Sequence, residues 1–300
     1  MKQAIVTGAT GFVGSHLTKA LVQQGVCVHA IVRPTSDLFS LQQVDQELIR
    51  FHIYDKERDF KEIFRDIVEE AKPDVVFHLA SMVVGNPTAE KVGALLQSNI
   101  TFGVELLEAM EAYGVRCLVN TGTSWQHYQN ADYNPVNLYA ATKQAFEDFI
   151  AYYVQAYGFK VINLHLFDNY GPNDKRKKLL SLMKDAVQKK QVLDMTPGRQ
   201  QIDLVYIDDV VRAFLLAGEY LTEGEYQYCG TYAVSSGHPM MLRDLVKECN
   251  KVIGGKLMIN WGGQAYRDRE VMVPWNKGKI LPGWKPEVSL AEGLRRFWQE

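Results

Sequence analysis

The stretch "VTGATGFVGSHL", Val6 to Leu17, places three glycines, Gly8, Gly11 and Gly14, within seven residues. Just before it, "QAIVT" is short and apolar, as a buried strand is. From Phe12 to Gln24 the apolar residues recur with helical spacing. Two readings compete for a glycine-rich step from strand to helix. One is a tight turn. The other is a phosphate cradle: small residues let the backbone close on a pyrophosphate, and the helix start offers free N–H groups at the positive end of its dipole. The spacing is GxxGxxG rather than GxGxxG, so the rest of the chain has to decide.

The 300 residues are 47% hydrophobic and 23% charged, enough for a buried core. A formal net charge of -2 provides no basic field for nucleic acid or an anionic membrane. No apolar run approaches the ~20 residues a membrane helix needs, and "MKQAIVTG" is too short and strand-like for a signal peptide. Cys27, Cys117, Cys229 and Cys249 form no CxxC and no Cys/His cluster. The expectation is a cytoplasmic protein with reduced, buried thiols and no metal site.

Further strands are expected at "VCVHAIV", "LIRFHI", "VVFHLA", "CLVNT" and "KVINLHL", alternating with helices over Arg58–Ala71, Glu90–Tyr113 and Leu138–Ala156. Such alternation with short links predicts an α/β fold with a doubly wound parallel sheet. The rhythm weakens after Leu166. "LVYIDDVVRAF" reads as a strand running into a helix, with Asp208 a good cap, and a last helix starts near Ser289. Residues 1–166 therefore form the main domain, with 203–220 returning to it. Residues 167–300 form mainly a smaller, mixed, interleaved C-terminal domain.

"LYAATKQAF" sets Tyr139 and Lys143 four apart on a helix, one turn apart on one face. A phenol is a poor acid at neutral pH, and a nearby ammonium lowers its pKa. Sixteen residues earlier, "LVNTGTSWQ" offers Thr123, with Ser124 as the alternative, to hydrogen-bond a substrate oxygen. Taken singly, a surface pair and a Ser/Thr turn explain these residues as well.

Together, "TGATGFVG", "YAATK", "VVFHLAS", "SNITFGVELLEA", "LHLFDNYGP", "GRQQIDLVYIDDVV" and "LPGWKP" resemble the motifs of extended short-chain dehydrogenases/reductases, the NAD-dependent epimerase/dehydratase family. Matches run along nearly the whole chain. The resemblance implies a Rossmann-type dinucleotide domain and a C-terminal domain that binds a nucleotide-linked sugar. It implies catalysis by Thr123, Tyr139 and Lys143. Cofactor contacts are implied for Gly8, Thr10, Gly11, Phe12, Val13, Arg33, Ser36, Asp55, Leu79, Ala80, Ser81 and Asn99, besides Tyr139 and Lys143. Substrate contacts are implied for Thr123, Ser124, Asp168, Asn169, Arg176, Arg199 and Arg267. In that group the helices matching 90–113 and 138–156 pair as a four-helix bundle, so a homodimer is expected.

Three departures narrow the choice. Ser124 and Trp125 stand where sugar-nucleotide dehydratases carry Asp-Glu after the threonine, which argues against elimination of water. Asp168 replaces the usual asparagine, and an acid there would meet a substrate diphosphate badly unless an arginine neutralises it or it contacts the sugar or the nicotinamide. Ile202 replaces an arginine, which leaves phosphate contacts to Arg176, Arg199 and Arg267. The chain is most similar to nucleotide-sugar 4-ketoreductases such as the CDP-abequose and CDP-paratose synthases. A 4-epimerase with retained NAD is the rival, and a non-catalytic dinucleotide sensor is a second. After the second strand stands Arg33 rather than an acid, with Thr35 and Ser36 as hydroxyl donors, so NADP(H) is favoured over NAD(H). Asp37 complicates this, because a folded-back loop would bring its carboxylate to the ribose.

Overall fold

A computed structural model describes residues 1–55, 59–85, 87–255 and 257–299. The first half contains β1 (Gln3–Thr7), α1 (Phe12–Gln23), β2 (Cys27–Val32), β3 (Ile49–Ile53), α2 (Phe60–Ala71), β4 (Val75–His78), α3 (Ala89–Leu96), α4 (Phe102–Ala112), β5 (Cys117–Thr123), α5 (Leu138–Tyr157) and β6 (Lys160–Leu166). The second half follows with β7 (Asp168–Tyr170), α6 (Leu179–Lys189), β8 (Leu193–Met195), β9 (Gln201–Ile202), β10 (Leu204–Tyr206), α7 (Ile207–Thr222), β11 (Gly230–Val234), β12 (Met240–Met241), α8 (Leu242–Ile253), β13 (Ile259–Trp261) and α9 (Leu290–Trp298).

The main sheet is parallel, in the order β11-β6-β5-β4-β1-β2-β3. Strand order reverses between β1 and β4, where ligands of open α/β sheets bind. Alternating side chains explain why both faces are covered. Ala4, Val6, Val28, Ala30, Val75, Phe77, Val119 and Ile162 join one core with residues of α1 and α7. Ile5, Ile31, Val76, Leu118 and Val161 join a second core with α2, α4 and α5. A period of two thus divides a strand between two buried layers. The fold is the α/β doubly wound, Rossmann-type sheet. Three small strand pairs, β7 with β10, β9 with β12 and β8 with β13, build the C-terminal region, while β11 lies on the main sheet beside β6.

Several expectations need correction. The 90–113 helix is not uniformly α: Gln97–Thr101 form a π turn between α3 and α4. That extra residue per turn is a local adjustment that periodicity does not reveal. The helix expected from Arg58 begins at Phe60, capped by the Asp59 side chain on the Lys61 N–H; Arg58 lies outside the described residues. Tyr206, not Asp208, is the α7 N-cap, and Asp208 in the first turn pairs with Arg296 instead. All four cysteines are free thiols, but only Cys249 is buried and the others are half-buried. Cys27 does have a histidine neighbour, with Sγ 3.9 Å from Nε2 of His29. His29 Nδ1 meets His52 Nε2 at 2.9 Å, and Glu70 reaches the same cluster. The two imidazole nitrogens face each other as a hydrogen-bonded pair.

Candidate active site

The glycine turn is built by contacts too close for any side chain. Gly8 has φ +71° and accepts a hydrogen bond from the Gly11 N–H at 3.0 Å. A Cβ on Gly14 would stand 2.0 Å from the Gly8 carbonyl oxygen, and one on Gly8 would stand 2.6 Å from the Ala80 nitrogen. Helix α1 therefore starts directly against the loop after β1. Its N-cap Gly11 supplies no side-chain cap, and its first turn holds no acid. An uncapped, close-packed helix start fits a dinucleotide pyrophosphate. Thr10, Phe12 and Val13 occupy this same turn and remain partly exposed.

The loop after β4 closes beside it. The Leu79 N–H donates to the Thr7 carbonyl at 3.2 Å, and the Ala80 N–H to Thr7 Oγ1 at 3.2 Å. Ser81 hydrogen-bonds Tyr139 and lies 3.4 Å from the Asn99 side-chain oxygen. Asn99, buried in the π turn, accepts from the Met82 N–H at 2.7 Å and donates to the Met82 carbonyl at 3.1 Å and to Thr142 Oγ1 at 3.0 Å. One amide thus ties the β4 loop to α5, next to Tyr139.

Tyr139 and Lys143 are both buried, on the face of α5 turned to the sheet. Burial raises the Tyr139 phenol to about 12, against the opposing pull of the Ser81 hydroxyl and the Arg176 charge. The positive charge acting on the phenol is Arg176 rather than the expected Lys143, and desolvation disfavours the phenolate more than that charge favours it. Burial likewise lowers Lys143 to about 8, while the Glu147 carboxylate raises it. Thr123 ends β5, and its Oγ1 accepts from the Trp125 N–H at 3.3 Å. Its own N–H donates to Gln126 Oε1 at 2.9 Å, a reciprocal capping box that fixes the short turn holding Ser124.

Residues 4–228, covering glycine turn, Thr123, Tyr139 and Lys143 alike, match the NAD dependent epimerase/dehydratase family. The chain belongs to that family. Among relatives, the CDP-abequose synthase of Salmonella muenchen is 26% identical over 99% of this chain and 97% of its own length. The UDP-glucuronate 4-epimerase of Thermodesulfobacterium geofontis is also 26% identical, over 97% and 94%. The crystal structure of Thermus thermophilus UDP-glucose 4-epimerase in complex with NAD has TM-score 0.81 at 24% identity, over 99% of this chain and 98% of that one. As a member of the epimerase/dehydratase family, the chain is an enzyme of an NAD-dependent class.

The other expected site residues of this epimerase/dehydratase chain are spread over several places. Asn169 and Arg176 lie beside the glycine turn. The Arg176 guanidinium stacks on the Phe12 ring at 4.2 Å, grips Asp174 at 2.7 and 2.8 Å, and donates to Asn169 Oδ1 at 2.9 Å. Arg199 and Arg267 are exposed in the C-terminal region, joined where the Arg199 N–H donates to Tyr266 at 3.0 Å. Arg33 and Ser36 close a turn after β2, each backbone N–H bonded to the other residue at 3.0 Å. Asp37 is turned to Lys175 at 3.2 Å and to the Phe39 N–H. Asp55 is exposed just past β3. Asp168 is neutralised, but by Lys178 at 3.6 Å rather than by an arginine. Residues the motifs did not single out also converge: Gln126, His127, Glu147 and His165 form a buried chain behind Lys143. Only Glu147 left a signal, one helical turn after Lys143.

Proposed function

We propose that this enzyme reduces the C4 ketone of a nucleotide-linked 4-keto-6-deoxy sugar with a nicotinamide cofactor. The observation that carries this reading is the buried Tyr139–Lys143 pair, one turn apart on α5 with Tyr139 bonded to Ser81 of the β4 loop, together with Ser124 and Trp125 after Thr123 where an elimination would need an acid and a base. The CDP-abequose synthase relatives support it. Residues 1–166, with 203–220 and the strand at 230–234, form the dinucleotide unit. The remaining C-terminal segments, with Arg199 and Arg267, take the nucleotide of the sugar.

The bound cofactor supplies the hydride. Thr123 hydrogen-bonds the C4 oxygen and orients it. Tyr139, protonated at neutral pH, gives its proton to the alkoxide oxygen as charge develops there. Lys143 keeps positive charge beside the phenol and favours its loss of the proton. Ser81 holds the tyrosine in place from the other side. Asp168, paired with Lys178, and Arg176, beside Asn169, face the sugar–diphosphate end. Arg33, with Ser36, grips the 2′-phosphate of NADP(H).

A 4-epimerase is the second reading, favoured by the UDP-glucuronate 4-epimerase relative. Cofactor stoichiometry separates the two. Incubation of the enzyme with NADPH and a panel of CDP-, GDP- and dTDP-4-keto-6-deoxy sugars should oxidise one NADPH per sugar reduced. Interconversion of the two C4 epimers of a nucleotide-linked 4-hydroxy sugar, with no net change in the cofactor, would establish the epimerase instead.

A further inference from the structure

Behind Lys143 runs a buried chain of four hydrogen-bonded groups from three segments. Glu147 follows Lys143 by one turn of α5. His165 on β6 places Nε2 2.8 Å from Glu147 Oε1, with side-chain exposures of 2% and 10%. His127, from the turn after β5, places Nε2 2.9 Å from His165 Nδ1. His127 Nδ1 meets the Ala131 carbonyl oxygen at 3.1 Å. The Trp275 indole stacks on His127 at 3.7 Å and 16°, sealing the outer end. Room for the chain comes from Gly122, where a Cβ would stand 2.3 Å from His165 Cδ2 and 2.7 Å from Glu147 Oε1. Gln126 on the β5 turn donates to Glu147 Oε1 at 3.1 Å.

The protons of this chain can be counted. A carbonyl oxygen only accepts, and so does a carboxylate. Between these two ends lie three contacts: Glu147 to His165, His165 to His127, and His127 to Ala131. Each contact needs one proton. Two neutral imidazoles bring only two. The chain as bonded therefore holds one more, and burial favours keeping it next to the opposite charge. Of the two rings only His165 touches the Glu147 carboxylate, at 2.8 Å, whereas His127 meets a neutral carbonyl oxygen and the other imidazole, which places the extra proton on His165, against Glu147.

We propose that His165 is held as an imidazolium, the counter-charge of Glu147, and that this His127–His165–Glu147 chain is the positioning device that sets the charge Lys143 feels. The proposal rests on the catalytic reading of Lys143 given above. The charged or titratable groups facing the chain are Lys143 and Glu147 on α5, His165 on β6, His127 on the β5 turn, and His78 on β4, which burial and the Lys143 charge keep neutral. With Glu147 balanced by His165, only part of its field reaches Lys143. Removing either partner should move Lys143 in opposite directions.

Two measurements test this. In the cofactor-free wild type, 15N NMR of histidine-labelled protein at pH 7.5 should show one ring protonated at both nitrogens. That signal should vanish in His165→Gln, whose amide keeps one donor and one acceptor. Finding all rings neutral in the wild type, or the signal unchanged in His165→Gln, would overturn the proposal, and neither result depends on activity. In the pH profile of kcat/KM, Glu147→Gln should move the alkaline limb to lower pH, and His165→Gln should move it to higher pH, by about one unit each for a partly screened neighbouring charge. Parallel losses of rate with the limb unmoved in both variants would also overturn it, since a merely structural role lowers rate without moving a limb. If Tyr139→Phe kept full activity, the catalytic reading would fail while the NMR result stood.

Discussion

Gly14→Ala isolates the phosphate cradle from the chemistry. The new Cβ would stand 2.0 Å from the Gly8 carbonyl oxygen, 2.8 Å from its carbon and 3.0 Å from Ala9 Cα, all backbone atoms. Ordinary contact begins near 3.4 Å, so α1 and the loop must part by about 1.4 Å. Neither neighbour is a flexible side-chain end, and Gly8 is itself pinned against Ala80. Overpacking of this kind costs roughly 1–3 kcal/mol of stability. The functional loss should be larger than the fold's. A shift of about 1 Å is enough to break a charged hydrogen bond, worth roughly 1.5–3 kcal/mol, or about 10- to 100-fold in affinity. Titration of NADPH and NADH by fluorescence should show that loss for both cofactors, because the pyrophosphate is common to them. A thermal melt should report a cooperative fold with a lowered midpoint. Affinity within twofold of wild type would refute the cradle, and would make the three glycines a turn and nothing more.

Tyr139→Phe should cost at least ~100-fold in turnover with cofactor affinity nearly unchanged, as loss of a proton donor does; steady-state rates and the same fluorescence titration check both halves. Arg33→Ala should raise KM for NADPH by about tenfold and spare NADH, the scale of one charged contact, whereas equal losses would reduce Arg33 to a support of its turn. Leu96, Phe149 and Tyr152 leave large apolar surface exposed on α3 and α5, and light scattering at micromolar concentration should give a dimer mass that falls to the monomer in Phe149→Glu with Tyr152→Glu. Burial lowers His78 to about 3 in the folded chain, so the unfolded chain binds its proton first: stability should decline as pH falls from about 6.5 toward 3, and melts of His78→Asn should show a flatter acid side.

What the sequence by itself determined is local. Strand boundaries such as Gln3–Thr7, the spacing of Gly8, Gly11 and Gly14, and the one-turn offset of Tyr139 and Lys143 follow from periods of two and 3.6, so neighbours along the chain suffice to read them. Motif resemblance carried the family on the same local grounds. Tertiary structure decided what depends on burial and on residues distant in sequence. It buried Tyr139 deeply enough for desolvation to outweigh nearby positive charge, and it chose Lys178 as the partner of Asp168. It turned Asp37 to Lys175, 138 residues away. It put the π turn at Asn99, where one buried amide had to reach both Met82 and Thr142. Glu147 could be placed behind Lys143 by helical spacing, yet its partner His165 lies on a strand and His127 on a separate turn, with Trp275 closing the end from the C-terminal region. Their charge is set by the number of protons their shared hydrogen bonds require, and that number exists only once the fold has brought the acceptors at both ends into contact.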